Sequence, residues 1–255
     1  MRGEMVHGAF SFSEVIMGTV SLANRYAVIR AKFPREIILL RGNGCKWRRC
    51  SFCDYHLDFS LDEAANYELN RQVIGQVTGS LGRLEVINSG SFCDLDTDTI
   101  ALLEKVCREK KINTVCFESH WLHRELIPAW RERFQAAGVA VKMKIGVESF
   151  EEDLREEYLR KGMGSVAPEE IAVFFDQVCL LQGLQGQTAA SMVVDIETGL
   201  KFFERVCVNV MNDNSTSIKP CPATVKIFRQ EVLPLYEKNA RVDILLNNTD
   251  FGVGN

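Results

Sequence analysis

The chain has 255 residues, 46% of them hydrophobic and 25% charged, with a formal net charge of -4. These values suit one soluble domain with a full core spanning 1–255, and they lack the basic footprint that binding to nucleic-acid backbones demands. No apolar stretch approaches bilayer-spanning length, and the N-terminus lacks a basic region followed by a hydrophobic core. Nine cysteines without such a signal therefore predict a reducing, cytoplasmic compartment.

In chain order, Phe12 to Lys32 reads as a mixed amphipathic helix stopped by Pro34. A strand is predicted at Ile37 to Leu40, followed by the flexible turn Gly42-Asn43-Gly44. The next run carries Cys45, Cys50 and Cys53 within nine residues. Three thiolates are one fewer than a closed tetrahedral zinc site or a fully protein-ligated cubane cluster requires, so the site keeps an open position. His56, three residues beyond Cys53, is the candidate fourth ligand of the alternative, a non-catalytic zinc site.

Beyond the cysteines, helical and strand patterns alternate. Helices are predicted at Leu61 to Leu81, Thr97 to Lys110, Leu126 to Ala137, Glu151 to Arg160 with a further turn at Pro168 to Phe175, and Thr188 to Phe203. Strands are predicted at Leu84 to Ile87, Thr114 to Phe117, Val141 to Ile145, Val178 to Leu181 and Val206 to Met211. A last helix, Pro222 to Glu237, and an apolar run, Val242 to Leu246, end the chain. Six βα units follow, with right-handed crossovers and a site at the C-terminal ends of the strands. The strand ends carry Asn88-Ser89-Gly90-Ser91-Phe92, Glu118-Ser119-His120-Trp121, Glu148-Ser149-Phe150 and Gly183 to Thr188.

The other six cysteines lack a CxxC partner and sit mostly in apolar runs, where the residue acts as a small hydrophobe; they argue against a second cluster. Lys46, Arg48 and Arg49 form a local basic patch that suits neutralising the thiolates better than binding tRNA. Asn209, Asn212, Asp213 and Asn214 follow the sixth strand, and Asn247, Asn248, Thr249, Asp250 and Phe251 lie near the C-terminus. Such amides and carboxylates beside an aromatic ring suit a polar heterocycle, whose edge needs paired partners once desolvated.

Together these motifs resemble the radical S-adenosylmethionine (SAM) superfamily, from about Glu36 to at least Asn214. Phe52 fills the aromatic place before the third cysteine; four residues rather than the usual three separate Cys45 from Cys50, a spacing that some branches share. The resemblance implies an α/β fold, a partial (β/α)6 TIM-type barrel over about 36–214, with an N-terminal helix and a helix-strand extension over about 215–255. It further implies a [4Fe-4S] cluster on Cys45, Cys50 and Cys53, cleavage of SAM to a 5'-deoxyadenosyl radical, and an electron donor such as flavodoxin or ferredoxin. Ser89, Gly90 and Ser91 would meet the SAM amino group, Glu118 and Glu148 its ribose or methionine, and Gln185 the adenine; the two acids equally suit capping the helices that follow.

Within the superfamily, Asn43-Gly44-Cys45, the Asn88 to Phe92 run and Asn247 to Gly252 most resemble the queuine lyase type of queuosine-salvage enzyme. That implies cleavage of the carbon-nitrogen bond of queuine, with release of 7-aminomethyl-7-deazaguanine. Asn43, Trp121, Asn209, Asn212, Asn247 and Phe251 are then candidate substrate contacts. His120 is a candidate to stack on or protonate the substrate, and Asp250 to pair with the guanine-like edge. A radical SAM enzyme acting on tRNA is the alternative within the superfamily; the acidic balance and the lack of an RNA-binding appendage count against it.

Overall fold

The computed structural model describes residues 21–254. One eight-stranded curled sheet in sequential order organises them: β1 (Tyr26–Ile29), β2 (Arg35–Leu40), β3 (Arg83–Asn88), β4 (Thr114–Glu118), β5 (Ala140–Glu148), β6 (Gln177–Gln182), β7 (Arg205–Val210) and β8 (Val242–Leu245). Strands β2 to β8 run parallel, as expected of a partial barrel. Covered on both faces, they read as near-continuous apolar runs, and Ile37, Ile38, Val86, Val115, Ile145, Val178 and Val206 are buried.

Helices α1 (Glu63–Ile74), α2 (Thr97–Glu109), α3 (Ile127–Ala136), α4 (Pro168–Phe174) and α5 (Ala189–Phe202) connect successive strands. Their buried stripes recur at helical spacing, as with Thr99, Ile100, Leu103 and Cys107 of α2. Asp62 and Asp96 cap α1 and α2 by accepting from the backbone N–H three residues on.

Four expectations change. Of the helix predicted at Phe12 to Lys32, the part before Ser21 lies outside the described residues, and Tyr26 to Ile29 is instead strand β1, antiparallel to β2 with Tyr26 opposite Ile38. The open edge of β2 pairs readily with a short β-branched segment, and the Tyr26 hydroxyl donates to Glu36 at 2.9 Å. Helix α1 stops at Ile74 rather than Leu81, because Gly75 and the left-handed Gly79 open a turn. That turn is tied by Glu36, which accepts from the Thr78 N–H at 2.7 Å.

The predicted helix at Glu151 to Arg160 is replaced over Leu154–Tyr158 by a wide π-type turn, closed by the Leu159 N–H donating to the Leu154 carbonyl at 3.0 Å. The helix at Pro222 to Glu237 is broken into α6 (Pro222–Ile227), a π-turn (Phe228–Val232) and α7 (Leu233–Tyr236), which carries Pro234 in its first turn. The C-terminal apolar run is β8, a seventh parallel strand beside β7, so the extension completes the sheet.

Inside the barrel, Glu85 of β3 pairs with Arg35 of β2 and Lys144 of β5, and Arg205 of β7 lies 3.6 Å from it. Arg205 also pairs with Asp243 of β8, and all five side chains are buried. Burial opposes charge on Glu85, but the three cations outweigh it and hold the carboxyl below the usual range. This network closes the barrel floor and leaves its upper end for a site.

Candidate active site

The cysteine loop leaves the C-terminal end of β2 and is fastened to the π-turn. The Ser51 N–H donates to the Leu159 carbonyl at 3.0 Å, its hydroxyl donates to the Tyr158 carbonyl at 2.6 Å, and the Trp47 indole donates to the Arg160 carbonyl at 2.9 Å. These carbonyls lie at the C-terminal end of the π-turn, where no intrahelical donor follows, so they are free to accept from the cysteine loop. From the other side, Asn214 donates to the Phe52 carbonyl at 2.7 Å, and Ser215 donates its N–H to Asp54 at 3.0 Å. Gly162 sits against Trp47 with a φ of +70°, where a Cβ would lie 2.0 Å from the indole.

Cys45, Cys50 and Cys53 line a cavity of about 220 Å³ at the strand ends. Burial raises the Cys50 thiol and pushes Cys53 up to about 12, while the Lys161 ammonium acts in the opposite sense. Burial lowers Lys161 itself, but the Glu148 carboxylate, 2.8 Å away, leads the interactions that more than restore its charge. Glu148 follows a register shift in β5 and has a φ of +70°, a strained conformation that aims its carboxylate at Lys161.

A single zinc ion would hold its sulfurs at about 2.3 Å, hence no more than about 4.6 Å apart. Among the described residues, the one group of three His, Cys, Asp or Glu ligand atoms gathered within 4.8 Å is Cys93, Asp94 and His123. The three cysteines of the loop, with or without His56, are not so gathered. A multi-iron cluster places each thiolate on a separate iron and needs the wider spacing.

Phe52, Ser89, Gly90, Glu118 and Glu148 line the same cavity. A Cβ on Gly90 would lie 2.5 Å from the Asp94 carboxylate and 3.1 Å from the Cys45 nitrogen, so only glycine lets the β3 end approach the cysteine loop. Asn88, absent from the sequence-based set, has its Oδ1 buried without a partner beside that wall. Ser91 turns away: its hydroxyl accepts from the His120 N–H at 3.0 Å.

A second cavity of about 340 Å³ adjoins the first, sharing Asn88, Ser89, Glu118, Cys179, Asn209 and Asn248. Its lower wall includes Lys144, which Glu118 contacts at 2.7 Å. Apolar sides come from Leu39, Ile87 and Leu245, and Phe251 closes one flank with the Arg35 guanidinium 4.6 Å from its ring centre. Asn212 lines the first cavity and donates to the Val210 carbonyl at 2.7 Å.

Several candidates belong elsewhere. His120 borders the first cavity, but its Nε2 donates to the Lys161 carbonyl at 2.7 Å and its Nδ1 accepts from the Leu122 N–H at 3.1 Å. Neither nitrogen is free for a substrate; burial, then Lys161, holds its pKa down at about 4. Trp121 packs edge-on against Phe174 at 5.9 Å, in the core layer. Asp250 is exposed, and its carboxylate accepts from the Leu246 and Asn247 N–H groups at 2.7 and 2.9 Å, while Asn247 donates its amide to it at 3.1 Å. Both residues form a turn, and Asn248, which lies between them, reaches the cavities. Asn43 bonds to Glu63 and Asn66 of α1, and Gln185 is exposed on the turn after β6. Arg48 folds onto its own loop, 4.2 Å over Phe59, and Arg49 lies 5.1 Å over Trp47.

No protein-family model matches the chain, and no curated protein matches it in sequence. Among solved structures, the chain is similar to queuine lyase from Clostridium spiroforme bound to SAM and queuine. The TM-score is 0.87 with 40% identity, over 91% of this chain and 100% of that one. A sporulation-specific glycosylase of Bacillus subtilis aligns at 14% identity and a TM-score of 0.28, too distant to carry an argument.

Proposed function

The chain belongs to the family of radical SAM enzymes that includes queuine lyase, and on that premise we propose that it cleaves the carbon-nitrogen bond of queuine to release 7-aminomethyl-7-deazaguanine. The observation that carries the proposal is the pair of adjoining cavities, one walled by three cysteines and the other by amides, charges and apolar side chains. Two ligands held side by side need such an arrangement.

The donor set fits a [4Fe-4S] cluster. Three thiols, two of them raised by burial, stand around one cavity beside Lys161, so loading them means replacing protons by a cation. When bound, the cluster supplies one electron to the sulfonium of SAM. Lys161 balances the thiolates, and Glu148 fixes its ammonium. Ser89, Gly90 and the unpartnered Asn88 Oδ1 supply acceptors for an ammonium group at the β3 end. His120 is a positioning residue: it holds the Lys161 carbonyl and stacks on Trp47 at 5.5 Å, joining the cysteine loop to the Lys161 segment.

In the second cavity, Asn209 and Asn248 offer donors and acceptors for a heterocycle edge, and Glu118 faces the boundary between the two ligands. The single sheet through β8 supports one domain over the described residues. No helix among them is long and apolar enough to cross a membrane, in keeping with a cytoplasmic enzyme. Exposed Lys46 and Arg49 beside the cysteine loop suit an acidic one-electron carrier of the flavodoxin or ferredoxin class.

The test is product analysis of the anaerobically reconstituted, reduced protein with SAM. Queuine should raise deoxyadenosine release and yield 7-aminomethyl-7-deazaguanine; deoxyadenosine without that product would move the search to other heterocycles.

A further inference from the structure

Cys179 of β6 and Cys207 of β7 are register partners on adjacent parallel strands, and both line the larger cavity. Cys179 also lines the smaller one, so it stands at the boundary between the two proposed ligands. Outside the cysteine loop, no other described cysteine lines either cavity. The neighbouring Cys207 sulfur and then burial hold the Cys179 thiol protonated. The Asn209 Oδ1 lies 3.9 Å from the Cys207 sulfur, and Lys144 and Glu118 face the pair.

Resting on the proposed function, the need is chemical. Once a hydrogen atom has been abstracted from the five-carbon unit and the amine has left with the electron pair of the carbon-nitrogen bond and a proton from that unit, an unpaired electron remains on the neutral five-carbon fragment. A thiol has the weakest bond to hydrogen among the groups on this wall.

We propose that Cys179 donates a hydrogen atom to the five-carbon product radical and that Cys207 captures the thiyl formed. In the first step the Cys179 S–H bond breaks and a C–H bond forms on the fragment, leaving a sulfur radical. This radical bonds to the Cys207 sulfur as Cys207 loses its proton to solvent, and the surplus electron passes to the oxidised iron-sulfur cluster. The disulfide regains two electrons and two protons from an external dithiol by thiol-disulfide exchange. Adjacent strands lie about 4.8 Å apart, inside the Cα separation a disulfide accepts.

The test runs the reconstituted enzyme with SAM, queuine and reduced flavodoxin in deuterated buffer, with and without dithiothreitol. The five-carbon product should carry one carbon-bound deuterium from solvent. Without dithiothreitol, peptide mapping should find Cys179 joined to Cys207, a bond that diamide should also form in the resting enzyme. Cys179→Ala and Cys179→Ser should still release deoxyadenosine on addition of queuine, while the deuterium-bearing fragment falls by about tenfold or more. The same labelled fragment at the same yield from either variant overturns the proposal, as does absence of the cross-link under both conditions. If queuine leaves deoxyadenosine release from the unaltered enzyme unchanged, the functional reading fails, and this inference fails with it.

Discussion

At the floor of the barrel, buried Glu85 is enclosed by Arg35, Lys144 and Arg205; at the mouth, Asn88 ends in a buried oxygen without a partner, and Cys50 and Cys53 stand as thiols raised by burial. The same parallel strands supply both ends. Buried charges paired with one another hold a structure together, even though the Arg205 Nε at the floor also lacks a hydrogen-bond partner, whereas an unpartnered polar atom that lines a cavity, as in Asn88, stands where a ligand completes it. Floor substitutions should therefore act on stability, and mouth substitutions on chemistry.

The largest effect expected is at the mouth. Cys53→Ala should lower deoxyadenosine release by about a thousandfold or more while the thermal transition of the metal-free protein moves little; retained iron and release would break the assignment. At the floor, Glu85→Gln removes the carboxylate that Arg35, Lys144 and Arg205 share, leaving Asp243 and Glu118 as their remaining acidic partners, and should cost about 3–5 kcal/mol in denaturant unfolding, with SAM cleavage preserved in the folded fraction. Loss of cleavage at unchanged stability would erase the contrast.

His120 sharpens the comparison through pH. Its folded-state pKa of about 4 lies below the ordinary value of 6.5, so the neutral ring stabilises the fold above pH 6.5, and this contribution disappears as pH falls through about 4. The limb is worth about 3 kcal/mol. His120→Gln should flatten it, and an unchanged acid limb in that variant would show that another group titrates. Gly162→Ala, which drives a Cβ into Trp47 at a left-handed φ, should cost about 2 kcal/mol and loosen the cysteine loop, read as faster loss of iron to a chelator. The smallest effect is expected at Asp250→Ala: its carboxylate is spent on a turn, so the KM for queuine should change by less than about threefold.

Much of the barrel was legible because parallel strands covered on both faces must be apolar throughout, as in Ile37 to Leu40 and Val178 to Leu181. The three cysteines were legible because their spacing states a ligand count. Strand β1 was hidden, since four residues with no strict alternation take their conformation from the edge of β2. Lys161 stood in the sequence as the end of a charged segment, but its role depends on the wide turn at Leu154–Tyr158, which helical periodicity conceals. Asp250 and Asn248 differ for a similar reason: both sit in one Asn-rich turn, and only the fold decides which side chain closes the turn and which faces the cavity. Pairing of Cys179 with Cys207 follows from strand register, which neither segment encodes alone.

The most direct test of the contrast between floor and mouth is electron paramagnetic resonance of the reconstituted, reduced protein before and after SAM is added. A [4Fe-4S] signal that changes shape with SAM, and is absent in Cys53→Ala, is the predicted result. A colourless protein holding one zinc ion, without such a signal, would contradict the account.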